Sequence, residues 1–112
     1  MIIGVGTDIV SVARIEAAMA KERFLEKLFS KEEQRAMTSP ERVAGRWAAK
    51  EAVAKALSTS LTWQDVEILN DEEGKPFVRF ADSAQIEPEI RVSLSISHER
   101  EFAVAFVVAE RP

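Results

Sequence analysis

Hydrophobic and polar positions follow two different periods along the chain. Through its first half the apolar residues recur at helical spacing; beyond about Leu57 they alternate. Ahead of the helices, Met1 to Ile9 reads as a short strand, Ile2-Ile3-Gly4-Val5-Gly6, ending at Thr7-Asp8. Ser11 caps a helix from Val12 to about Lys21, with Val12, Ile15, Ala18 and Met19 at helical spacing. Phe24, Leu25 and Leu28 continue the pattern. Ser30 and Glu33 form a capping box that opens a helix to about Met37. Ser39-Pro40 is a second start signal, with proline at the first helical position, and that helix runs to about Leu57.

After the change of period, Val66 to Leu69 is a strand. Asn70 to Lys75 is a turn, and Pro76 to Phe80 returns as the other arm of a hairpin. Ala81 to Pro88 is a connector. From Arg91 to Ser97, Val92, Leu94 and Ile96 share one face and Ser93, Ser95 and Ser97 the other. Phe102 to Ala109 is apolar on both sides, which predicts a central, doubly covered strand. The expected class is α+β: helices in the N-terminal half packed on a largely antiparallel sheet of five or so strands. Residues 1–112 are expected to form a single domain.

Composition narrows the function classes. The 112 residues are 46% hydrophobic and 30% charged, enough apolar content for a real core and too much for a disordered chain. The absence of cysteine removes disulfides, thiol nucleophiles and thiolate metal sites, and a single histidine argues against a His-rich zinc site. A net charge of −4 argues against general nucleic-acid binding. No apolar run approaches the roughly 18 residues of a membrane span, and no basic-then-apolar leader opens the chain. A cytoplasmic protein with no membrane or nucleic-acid partner is expected. The charge is lopsided: residues 1–55 hold 10 Lys/Arg against 8 Asp/Glu, and residues 56–112 hold 5 against 11. A local basic face between Arg14 and Lys55 suits an acidic protein or a phosphorylated ligand, or is simply a solvated helix face.

Gly4-x-Gly6 is no dinucleotide fingerprint, because position 9 is isoleucine and no parallel βαβ run follows. Asp8 stands where a strand gives way to a helix, so it either caps that helix or ligates a hard cation; capping is the commoner role. The helix from Pro40 to Leu57 is apolar round nearly its whole circumference, yet it carries Arg46, Lys50, Glu51 and Lys55. Glu51–Lys55 and Arg46–Lys50 are each four residues apart. These charges line an exposed face, or they meet a ligand with charge of its own. Ser97 and His98 are adjacent and point to opposite faces, so they make no catalytic pair. A lone histidine at a strand end is structural, or a switchable cation beside a phosphate.

Taken in order, Gly4-x-Gly6-Thr7-Asp8-Ile9-Val10, Arg14-Ile15-Glu16, Phe29-Ser30-x-x-Glu33, Arg46-Trp47-Ala48-Ala49-Lys50-Glu51-Ala52-x-x-Lys55-Ala56, Gly74-Lys75-Pro76 and Ser95-x-Ser97-His98 resemble the holo-acyl-carrier-protein synthases. These are the small bacterial type of 4′-phosphopantetheinyl transferase. The resemblance spans nearly the full chain. It departs at Ser58-Thr59-Ser60-Leu61, where relatives often carry glycine, and at the short connector from Ala81 to Pro88.

The resemblance implies the phosphopantetheinyl-transferase fold. It implies transfer of the phosphopantetheine arm of coenzyme A to a serine of an apo acyl carrier protein, releasing adenosine 3′,5′-bisphosphate, in support of fatty-acid synthesis. Asp8 and Glu51 would be Mg²⁺ ligands and, with Lys55 on the pyrophosphate, the catalytic group. Arg46, Lys50 and His98 would meet the remaining phosphates, with Gly74, Lys75 and Pro76 near the nucleotide end. Arg14, Lys21 and Arg23 would dock the acidic carrier protein. A homotrimer with sites between neighbours is implied as well. Two competing classes are a module that binds nucleotide or acidic protein without reaction, and a metal-dependent phosphodiesterase acting on coenzyme A.

Overall fold

The computed structural model describes residues 1–112. Three serines set the helix starts. Ser11 Oγ accepts from the amide of Arg14 (3.3 Å), Ser30 Oγ from Glu33 (3.1 Å) and Ser39 Oγ from Arg42 (3.2 Å). The elements are β1 (Ile2–Ser11), α1 (Val12–Met19), α2 (Phe24–Leu28), α3 (Lys31–Gln34), α4 (Pro40–Leu57), β2 (Val66–Asn70), β3 (Pro76–Phe80), β4 (Arg91–His98) and β5 (Phe102–Glu110). Single 3₁₀ turns at Trp63–Asp65 and Asp82–Ala84 lead into β2 and follow β3. The α+β class holds. Helix α1 stops at Met19 rather than Lys21, and α3 at Gln34 rather than Met37.

The strands do not form one sheet. β1, β5 and β4 make an antiparallel sheet with β5 in the middle, and β2–β3 is a separate hairpin. Residue alternation marks which face a strand buries but not which neighbour it pairs with. β1 also runs on to Ser11, because its pairing with β5 continues to the Ser11–Phe102 register.

Small residues let α4 settle onto the sheet. Ala48, Ala49, Ala52 and Ala56 of α4 are buried against Ala105, Val107 and Ala109 of β5. Gly4 and Gly6 lie beneath the last turns of the helix. A Cβ on Gly4 would stand 1.8 Å from the carbonyl oxygen of Ala56, and one on Gly6 2.0 Å from that of Ala52. The Gly-x-Gly pair therefore marks backbone-on-backbone packing. At the C-terminal end of α4, Ser58 itself adopts the left-handed conformation (φ 51°), so the glycine-free segment still turns as a left-handed cap requires.

The expectation of a doubly covered β5 fails within one chain. Ala103, Ala105, Val107 and Ala109 are buried, but Phe102, Val104 and Phe106 on the opposite face are 38–48% exposed. Val5 and Ile9 of β1 continue that uncovered apolar face, because Val5 pairs with Val108 and Ile9 with Val104. Ser93, Ser95 and Ser97 of β4 border it.

The four charges of α4 divide. Lys50 turns inward, where its side chain is 3% exposed. Its ammonium donates to Glu33 Oε1 (2.9 Å), the Leu28 carbonyl (2.8 Å) and the Trp63 carbonyl (2.9 Å). It also lies over the Phe29 ring at 4.8 Å. Burial pulls this ammonium below the ordinary lysine range, and the hydrogen bond and charge of Glu33 oppose that pull. All three donors are taken, so Lys50 is not a phosphate ligand. Glu33 is more than a cap. Its Oε1 accepts from the Ser30 amide as well as from Lys50, and its Oε2 accepts from the Ile68 amide (2.9 Å). The pair ties α2, α3 and β2 to α4.

Two stability measurements test this packing. Gly6→Ala should cost about 3 kcal/mol or more, because the methyl has nowhere to go. Thermal unfolding should then show a midpoint lower by roughly 10 °C or more; an unchanged midpoint would contradict the close approach. Lys50→Met should cost about 3–5 kcal/mol by stranding a buried carboxylate, and adding Glu33→Gln should recover part of the loss in denaturant titrations. A Lys50→Met chain as stable as the wild type would return Lys50 to the ligand.

Candidate active site

Alternation along β1 puts Asp8 on the same face as Gly4 and Gly6, the face turned to α4. Asp8 therefore sits mid-strand, opposite Ala105, and Ser11 caps α1 in its place. Lys55 reaches across from α4: its ammonium donates to Asp8 Oδ1 (3.2 Å) and to the Thr7 carbonyl (2.9 Å). Lys55 remains 54% exposed at the side chain, so its charge is available to a ligand.

Asp8 and Glu51 line one open cavity of about 260 Å³, together with Arg14, Ile15, Ala18 and Trp47. No third Asp, Glu or His joins them to form a closed metal cage. Two carboxylates from separate elements, open to the outside, are the donor set of a hard cation that completes its shell with substrate oxygens and water. The residues thus fit Mg²⁺ as an ion shared with a phosphate substrate. Of the three expected docking residues, Arg14 reaches this cavity. Lys21 and Arg23 stay outside it on the exposed turn after α1, where Arg23 pairs with Glu26 at 3.3 Å.

A second groove, of about 220 Å³, lies on another side of α4 and shares no lining residue with the first. It brings together Arg46, Gly74, Pro76 and His98, four of the residues the resemblance assigns to the nucleotide; Lys75 is exposed and outside the lining. Arg46 is only 7% exposed. Its Nη2 donates to Asn70 Oδ1 (2.7 Å), and its Nε is buried without a partner. Burial lowers the guanidinium's pKa from the usual arginine value; the charge of Glu33 opposes this and that of Arg42 adds to it. Asn70 also donates to the Gly74 carbonyl (3.2 Å), fixing the hairpin turn beside Arg46.

Four lining residues, Arg42, Gly45, Asn70 and Ile96, are not among those expected from the sequence; two of them, Arg42 and Asn70, are polar. Arg42 carried a usable signal: it lies four residues before Arg46 and so shares its stripe. Asn70 carried none, because its role depends on how the hairpin folds back on α4. Arg46 and Glu51 are separated by about 140° around the helix at roughly 100° per residue, so the basic groove and the acidic cavity lie on different faces of α4.

No helix of the chain is long and apolar enough to cross a membrane. A family profile described as the 4′-phosphopantetheinyl transferase superfamily matches residues 4–107. The holo-[acyl-carrier-protein] synthase of Halothermothrix orenii is 46% identical, the match covering 98% of this chain and 98% of that protein. The protein of the same name from Geobacillus sp. is 43% identical over 99% of this chain and 98% of its own length. Among solved structures, the holo-(acyl-carrier-protein) synthase of Bacillus anthracis in complex with CoA (3′,5′-ADP) superposes with a TM-score of 0.85 at 39% identity, covering 100% of this chain and 99% of that one. The Helicobacter pylori enzyme in complex with coenzyme A gives 0.83 at 33% identity, over 95% and 99% of the two chains. With a profile running from residue 4 to residue 107 and relatives this similar over nearly their whole length, the chain belongs to the holo-[acyl-carrier-protein] synthase family of 4′-phosphopantetheinyl transferases.

Proposed function

We propose that this single domain, residues 1–112, moves the 4′-phosphopantetheine arm of coenzyme A onto a serine of an apo acyl carrier protein, with Mg²⁺, in support of fatty-acid synthesis in the cytoplasm. The observation that carries this reading is the pairing of Asp8 and Glu51 in one open cavity, with Lys55 beside them. A site built only to hold an anionic phosphate has no use for two acids unless a cation joins them.

Asp8 and Glu51 would hold Mg²⁺, which when bound would supply charge neutralisation to the pyrophosphate. Lys55 adds a point charge to the same pyrophosphate. The serine oxygen attacks the pantetheine-side phosphorus, and the bond from that phosphorus to the bridging oxygen breaks. The electron pair leaves with adenosine 3′,5′-bisphosphate, and the serine proton passes to water in the open cavity. Arg46 and His98 meet the 3′-phosphate, with Gly74, Lys75 and Pro76 at the nucleotide end. Arg14 at the cavity, with Lys21 and Arg23 on the exposed turn after α1, steers the acidic carrier protein; such contacts mainly raise the association rate and weaken with salt.

The uncovered face of the three-stranded sheet suits other copies of the chain, and a homotrimer closes it. Self-association also accounts for the separation of the acidic cavity from the basic groove. In this reading the acidic cavity of one copy meets the basic groove of the next, and one coenzyme A molecule spans both.

The test is direct. The protein, coenzyme A, Mg²⁺ and an apo carrier protein are incubated, and the carrier is weighed by mass spectrometry. A gain of one phosphopantetheine is expected. Broken coenzyme A without that gain would indicate a phosphodiesterase, and no change in either would indicate a binding module. Asp8→Asn and Glu51→Gln should each cut turnover roughly 100-fold or more with the fold intact. Near-normal transfer by either variant at low Mg²⁺ would contradict the metal assignment.

A further inference from the structure

The basic groove holds one more cation than the assigned residues account for. Arg42, Arg46 and His98 all line it, and no carboxylate does. Arg23, Arg79 and Arg111 are paired within the chain, by Glu26, by Glu32 with Glu67, and by Glu87; of the exposed arginines without an ion pair, Arg42 alone lines this groove. Arg42 is exposed, and its side chain enters no ion pair or hydrogen bond. Instead its charge acts on Arg46, against which it works unfavourably. Glu33 offsets that repulsion at Arg46 from the interior side, but no acid lines the groove itself, so an anion seated there would be attracted by both guanidinium groups.

The groove is also built rather than incidental. Arg46 is buried, with Nε unpartnered and Nη2 fixed by Asn70. Gly45, between the two arginines in sequence, lets the end of β4 come close. A Cβ there would stand 2.9 Å from Ile96 Cγ2 and 4.0 Å from His98 Cδ2. The absence of that methyl makes room for the Ile96 side chain, and His98 beyond it lines the same groove as the arginines.

We infer that Arg42 is an anion-binding residue of this groove, completing with Arg46 and His98 a seat for one phosphomonoester dianion. The inference rests on the placement of the nucleotide end in this groove. Arg42 then makes the site selective for an adenosine nucleotide with a 3′-phosphate over one without it. Two guanidinium groups and an imidazole N–H match a doubly charged group, and a planar guanidinium can hold two of its oxygens at once.

Calorimetric binding of adenosine 3′,5′-bisphosphate and of adenosine 5′-monophosphate tests this without requiring transfer. Arg42→Ala should weaken the bisphosphate about 10-fold and leave the monophosphate unchanged, with the wild-type melting temperature. Arg42→Lys should restore part of the affinity. In turnover, the KM for coenzyme A should rise by a similar factor, that for 3′-dephospho-coenzyme A should stay level, and kcat should hardly move. Equal weakening of both nucleotides, or of neither, would overturn the inference. If the carrier gains no mass but bisphosphate binding still depends on Arg42, the transferase reading fails and the inference stands. If transfer proceeds and Arg42→Ala binds as the wild type does, only the inference fails.

Discussion

The seating of α4 on β1 is the contact from which the rest of the structure follows. Gly4 and Gly6 offer bare backbone to the carbonyls of Ala56 and Ala52, at distances no side chain tolerates. That approach fixes the height and the rotation of the helix over the sheet. It brings Lys55 within 3.2 Å of Asp8, two residues beyond Gly6 on the same face of β1. The acidic cavity is thus a consequence of strand–helix packing, not of a flexible loop, which is how a site acquires precise geometry.

A second constraint sorts the charges of the same helix. Lys50 and Glu33 neutralise one another in the interior and fasten α2, α3 and the β2 edge to α4. With Lys50 committed inward, Arg46 and Arg42 are left to one groove and Glu51 and Lys55 to the surroundings of Asp8. One helix therefore supplies the core, a basic stripe along one groove and a charged stripe facing Asp8. A buried ion pair of this kind adds little net stability but discriminates strongly against other helix rotations.

Much of this was legible before the fold. The serines at 11, 30 and 39 set the helix starts through local hydrogen bonds, which need no tertiary information. The serine–apolar alternation of β4 likewise declared its buried face. What stayed hidden depends on partners distant in sequence. A helix apolar all round gives no periodic signal for which lysine points inward; that choice is made by Glu33, 17 residues away. The split of the strands into a sheet and a hairpin is a matter of pairing, on which alternation is silent. Of the residues lining the two cavities or beside them, Asp8, Glu51, Lys55, Arg46 and His98 were visible through the resemblance. Asn70 was not, because its role is to hold Arg46 from another element.

The uncovered face of β5 and the separation of the acidic cavity from the basic groove have a common explanation in the proposed assembly. Phe102, Val104 and Phe106 are costly to leave in water, and a neighbouring copy that covered them would bring a basic groove of its own. The central claim is that the acids of one chain work with the groove of another. Mixing inactive variants tests it most directly. Asp8→Asn and His98→Ala chains are assayed alone, then unfolded together, refolded and assayed again. Hybrid interfaces join an intact Asp8 to an intact His98, so activity well above the sum of the two separate variants is expected. Subunit exchange demonstrated by native mass spectrometry, with no gain in activity, would contradict a site shared between chains.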